Sequence, residues 1–278
     1  PAPSHHIAMA LADSIRALLV PGTEMRRELP LLRRVARATL DSPHEFDQYL
    51  GSCDQNTLDA LISLLFDRRF GWSERETGID VRTSSLAGPA AALYLVSPSQ
   101  SSASDLGPAE RKRATIVLLD IVLGAAKQQP FSPRILSALT SCVSNNDKAV
   151  VRQQLFVFLF DWARGRVAAV EDPHHPAVAK FRTLVLAGLT DVWSATRKLC
   201  ASRLQSLAPS LPEPHVLLLF EDLANLCSKA DAAWRECEGA LLGITSLLRR
   251  FKRFFGHRRA SRSEDRPAAR RLGAPADG

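Results

Sequence analysis

"DVWSATRKLCASRLQSLAPSLP" runs from Asp191 to Pro212. Trp193, Thr196, Cys200, Leu204, Leu207 and Leu211 follow one another at steps of three and four, which is one apolar face of an α-helix. The stretch therefore predicts a single helix with Trp193 packed against a neighbour. Its opening is unusual for a helix that only fills a core. Asp191 precedes it and Arg197 sits in its first turns. Where that combination recurs along the chain decides the fold.

It recurs on both sides. Val151, Leu155, Phe158, Leu159 and Trp162 line one face of a helix from Lys148, with Asp147 before it and Arg152 early in it. Trp234, Cys237, Leu241, Ile244, Leu248 and Phe251 do the same after Asp231, with Arg235 early. Each of these helices follows another, shorter one that carries a proline in its first turn, at Pro133, Pro176 and Pro214. The unit is a short helix, a turn holding an aspartate, and a longer helix. Arg113, Arg152, Arg197 and Arg235 lie 39, 45 and 38 residues apart. No segment alternates with period two. A period near 40 with two helices per unit predicts an all-α chain wound as an α-α superhelix, a solenoid of antiparallel helix pairs.

Asp191 with Arg197 six residues on, then Ala201 and Leu204, resembles the HEAT repeat of the HEAT/armadillo class. "DKAVVRQQL" (147–155) and "DAAWRECEGAL" (231–241) are looser copies, with the two residues five and four apart. The resemblance covers about residues 110–254, with "DVRTSSLAG" (80–88) a weaker copy. It implies a ladder of hydrogen bonds between stacked repeats, made by Asp147, Arg152, Asp191, Arg197, Asp231 and Arg235. An aspartate at a helix N-terminus accepts from free backbone N–H groups, and an arginine beside it bonds a neighbouring carboxylate with charge-assisted geometry.

The remaining organisation follows from composition. Residues 1–96 read as an N-terminal helical segment of degenerate repeats, 97–109 as a Ser/Pro-rich loop, 110–254 as the repeats and 255–278 as a disordered basic tail. The formal net charge is +7, and residues 249–278 hold ten Lys/Arg against three Asp/Glu. All of the excess sits in residues 249–278, so the charge is no evidence that the balanced body binds nucleic acid. "RRFKRFFGHRRASRS" concentrates Arg249, Arg250, Lys252, Arg253, Arg258, Arg259 and Arg262 with interleaved phenylalanines. Nucleic acid or an anionic membrane surface is expected to be met there alone. "RRAS" also makes Ser261 a candidate phosphorylation site.

Cysteine usage and the N-terminus point to the interior of a cell. Five scattered cysteines without a C-x-x-C pair form neither a disulfide framework nor a zinc site. A reducing compartment fits, cytoplasmic or nuclear. "IAMALADSIRALLV" lacks a basic leader, and no apolar run is long enough to span a bilayer. The chain opens at Pro1 in place of a methionine, and the expectation is of a piece of a longer protein.

Catalytic signatures are missing from the sequence. It contains no G-x-x-x-x-G-K-[ST], G-x-G-x-x-G, H-E-x-x-H or G-x-S-x-G, and no cofactor is expected. His174 and His175 are adjacent in a loop and point apart, so they read as solvated and not as metal ligands. Gly239 and Gly243, with Ser246, form a small-residue stripe inside the last helix. Each glycine costs about 1 kcal/mol there relative to alanine, so the stripe implies close approach of another helix, either a neighbouring repeat or a partner. The functional expectation is a non-catalytic scaffold that binds another protein through an extended surface.

Overall fold

The computed structural model describes residues 3–20, 25–71 and 107–264. Among these the chain is all-helical and contains no strand. The elements are α1 (Pro3–Leu18), α2 (Met25–Asp41), α3 (Pro43–Ser52), α4 (Gln55–Phe70), α5 (Pro108–Ala126), α6 (Pro133–Asn145), α7 (Ala149–Ala163), α8 (Pro176–Leu189), α9 (Ser194–Leu207), α10 (Glu213–Ser228) and α11 (Trp234–Glu264). The expected segments 80–88 and 97–106 lie outside the described residues.

Local chemistry places the helix starts. Proline stands in the first turn of α3, α5, α6, α8 and α10, where its missing N–H costs nothing and its fixed φ suits the helix. Asp54 caps α4 by accepting from the Thr57 backbone N–H at 2.9 Å, and His175 caps α8 through Nδ1, which accepts from the Ala177 N–H at 3.2 Å. After α7 the chain turns through Gly165 at φ +77°, the left-handed conformation that glycine adopts without strain.

Contacts follow a regular order. First helices meet first helices, α6 against α8 and α8 against α10. Second helices meet second helices, α7 against α9 and α9 against α11. Partners also pack within each pair, α6 with α7, α8 with α9 and α10 with α11. At the N-terminal end α4 lies against α5, α6 and α7, α2 against α5, and α1 to α3 against one another. Apolar side chains fill the seams. Trp162 is fully buried, lies tilted against Phe131 with ring centres 5.2 Å apart, and donates its Nε1–H to the Gln129 carbonyl at 2.9 Å, so its polar edge is satisfied.

Three expectations need correction. The stretch from Asp191 to Pro212 is not one helix. Asp191 to Trp193 precede α9, and Ala208–Ser210 form a 3-10 turn after it. Asp191 Oδ1 accepts from the Trp193 N–H at 2.8 Å, which holds the chain in a turn until the helix starts. The longer-second-helix pattern also fails in the middle pair, where α8 and α9 have 14 residues each. Finally, residues 255–264, expected as part of the tail, fall within the last turns of α11, a helix of 31 residues. Arg and Ala are good helix formers, and a single Gly256 does not stop a helix already begun. Residues 265–278 lie outside the described residues.

Candidate protein-binding surface

Ionic contacts tie α7 to α9 and the turn before it, α8 to α10, and α9 to α11. Arg152 grips Asp191 with both arms, Nε to Oδ2 at 2.7 Å and Nη2 to Oδ1 at 3.1 Å, and its third nitrogen donates to the Asn146 carbonyl at 2.8 Å. The bonded carboxylate raises the Arg152 pKa further. Arg197 is 1% exposed. It donates Nε to Glu238 Oε2 at 2.9 Å and Nη1 to the carbonyls of Asp191 at 2.7 Å and Val192 at 3.2 Å. Its guanidinium also lies 5.1 Å from the Trp234 ring centre, within cation–π range.

The second rung departs from the sequence reading. Glu238, and not Asp231, faces Arg197, while Asp231, Arg235 and Asp147 are exposed. Asp231 lies in the turn before α11, and the carboxylate that reaches Arg197 comes from the first turns of the helix. A signal existed: Glu238 follows Arg197 by 41 residues, as Asp191 follows Arg152 by 39. Arg113 is exposed as well; Asp120 of α5 and Lys127, just past its end, make the ion pairs instead.

Two further rows went unread in the sequence. Arg182 of α8 holds Asp222 of α10 at 2.7 and 2.9 Å. Asp161 of α7 receives Lys127 at 3.3 Å and Arg203 of α9 at 2.9 Å, and Arg249 of α11 donates to Gln205 of α9 at 2.7 Å. Such pairs carry no local signature, because the partners lie on different helices.

Gly239, Gly243 and Ser246 face inward. A Cβ on Gly239 would fall 1.7 Å from the Leu189 carbonyl oxygen, and one on Gly243 would fall 2.9 Å from Leu189 and Leu223 side-chain atoms. Ser246 is 6% exposed. The small residues let α11 seat against the end of α8 and against α10. Seating that face turns the opposite one outward. Trp234 is 72% exposed, Leu241 58% and Leu248 49%, with Cys237 and Ile244 half-buried beside them. The face expected to be core is thus solvent-facing. Trp193, expected to pack against its paired helix, is 56% exposed. It lies next to Val192, whose carbonyl binds the same Arg197 that stacks on Trp234. The result is an apolar row along the last helix that begins between two tryptophans.

The basic residues extend from this row. Arg250, Lys252, Arg253, Arg258, Arg259 and Arg262 follow Arg249 on the continuing helix, and Ser261 lies in its last turns; the side chains past Arg249 are outside the described residues.

Elsewhere, several ionisable groups that line clefts are paired with one another. In a cleft of about 200 Å³ among α4, α5 and α7, Asp120 is paired with Arg69 at 2.5 Å, and burial still raises its carboxyl pKa. A groove of about 770 Å³ between α1 and α2 is rimmed by the Arg37–Asp41 pair and by Asp13, paired with Arg16. Burial pushes the Cys142 thiol up to about 11 and the Cys200 thiol higher, so neither is a nucleophile near neutral pH. Among the described residues no group of three His, Cys, Asp or Glu could hold a metal ion, and no helix is long and apolar enough to cross a membrane. Compared with family models, curated proteins and solved structures, the chain has no match.

Proposed function

We propose that this chain is a HEAT-like α-α superhelix, a non-catalytic intracellular scaffold that binds another protein along its exposed surface. The superhelical reading is supported by the contact order of first helices on first and second helices on second, and by ionic pairs that join residues 39 to 42 apart. The binding reading rests on one observation: Trp193, Trp234, Leu241 and Leu248 are exposed together at the end of a body whose other large apolar side chains are mostly buried. Contiguous apolar surface rimmed by charge marks protein interfaces, and tryptophan and arginine are the residues that carry most interface energy.

The experiment compares proteins retained from cell extract by the wild-type chain and by a Leu241→Ser/Leu248→Ser variant. Both sites are exposed, so the variant folds, which circular dichroism checks. Proteins retained by the first and lost from the second support the reading. A retained set that is the same for both overturns it. The alternative, an anionic-surface or nucleic-acid factor acting through the basic run, is favoured by the continuation of α11 through seven basic residues. It predicts retention that is independent of the leucines and lost above about 0.3 M salt, where screening is strong.

A further inference from the structure

Resting on the scaffold reading, we propose that the outward face of α11 docks an acidic amphipathic helix from a partner protein, laid along it from Trp234 past Leu248. Three observations carry this. The first is spacing. Trp234, Leu241 and Leu248 recur every seven residues, with Cys237 and Ile244 between them at steps of three and four. That is the seam by which one helix packs along another, and from Trp234 to Leu248 it spans about 21 Å at 1.5 Å per residue. The second is that the large members of the seam are free: Trp234, Leu241 and Leu248 are exposed, while Ile244 at its edge is half-buried against the core. α11 meets α8, α9 and α10 through its other face, where Gly239 and Gly243 sit against Leu189 and Leu223. The helix therefore has one occupied face and one ready to receive a neighbour.

The third observation is charge, and it selects the occupant. After Glu238 the helix carries no acidic residue until Glu264, while Arg249, Arg250, Lys252, Arg253, Arg258, Arg259 and Arg262 fall between. Two copies of this helix repel each other, which disfavours self-pairing. An acidic helix is attracted. The charge is also graded. Glu236 and Glu238 stand near the tryptophan end, the first capping the Ala233 N–H at 2.9 Å and the second held by Arg197. A gradient orients a partner helix whose carboxylates gather at one end, and it serves a uniformly anionic bilayer less well.

Trp193 and Trp234 are native reporters of the event. The full chain is titrated with a 21-residue helical peptide bearing leucine at the heptad seam and glutamate beside it. A lysine-flanked counterpart and phosphatidylserine/phosphatidylcholine vesicles are run in parallel. The expected result is a saturable blue shift of tryptophan emission with the glutamate peptide. Binding should weaken at least tenfold in Leu241→Asp/Leu248→Asp and at least tenfold for the lysine peptide. An Arg250→Glu/Arg253→Glu variant, folded by the same criterion, should reverse the preference toward the lysine peptide. The inference is overturned if neither peptide binds, if both bind alike, if reversal leaves the preference unchanged, or if vesicles alone give the shift. Any of these leaves the scaffold reading to be judged by the extract comparison, which makes no use of partner charge.

Discussion

Arg197 is a charged side chain placed where a leucine would be ordinary. It is tolerated because every direction it points meets an acceptor or a ring: Glu238, the Asp191 and Val192 carbonyls, and the Trp234 face. Removing the guanidinium strands those acceptors, so Arg197→Ala is expected to lower stability by about 3 kcal/mol. Arg235→Ala, at an exposed site one residue past Trp234, should change it by under about 0.5 kcal/mol. Urea midpoints of the two variants test the contrast; equal midpoints would remove the structural role assigned to Arg197. His215, in the first turn of α10, is 1% exposed. Burial chiefly, with the Arg182 guanidinium, lowers its pKa below the ordinary 6.5, while the Val170 carbonyl and Asp172 oppose. The unfolded chain then binds the proton more readily than the folded one. Stability contributed by neutral His215 is complete above about pH 6.5 and is lost as pH falls through the depressed value. His215→Leu should show a smaller loss of stability than wild type between pH 7.5 and 5.5, and denaturation at both pH values measures the difference.

Helix α11 shows how one element serves two purposes. Its small residues bring its axis close to the Leu189 carbonyl, a contact that admits no side chain. Gly239→Ala should cost about 3 kcal/mol through overpacking. Gly124→Ala, in α5 with nothing within 4 Å of the added methyl, should instead stabilise by about 0.5–1 kcal/mol by restricting the unfolded chain. Thermal denaturation of the pair separates a packing requirement from the general cost of glycine in a helix. The Lys127–Asp161–Arg203 row is a different case. These side chains are about a third exposed, solvent screens them, and each link contributes under about 1 kcal/mol.

Across the molecule, the middle helices are packed on several sides and those at the N-terminal end on fewer. α7 buries nine of its 15 residues and touches α4, α6 and α9, whereas α1 packs chiefly on α2 and α3. Amide hydrogen exchange should be slowest in α7 and fastest in α1. Exchange in α1 as slow as in α7 would mean that the helices open only as a whole.

Much of this was legible from the residues. The 3.6-residue periodicity and the prolines at helix starts specify helix type and several helix starts after residue 130, because each depends on neighbours in the chain. Arg152, Asp191 and Arg197 could be picked out for the same reason: their place in the turn repeats. Three other features could not. Glu238 displaces Asp231 because the carboxylate that meets Arg197 depends on how far α11 is rotated, a property of packing. Rotation also decides which face of α11 is buried. Two faces of that helix were eligible, the heptad of large apolar residues and the stripe of small ones, and periodicity ranks the larger first. In the folded chain the small stripe wins, since close approach to α8 and α10 is open only to glycine. The large residues are left facing solvent, and that outcome, set by steric fit between helices distant in sequence, is what creates the candidate surface.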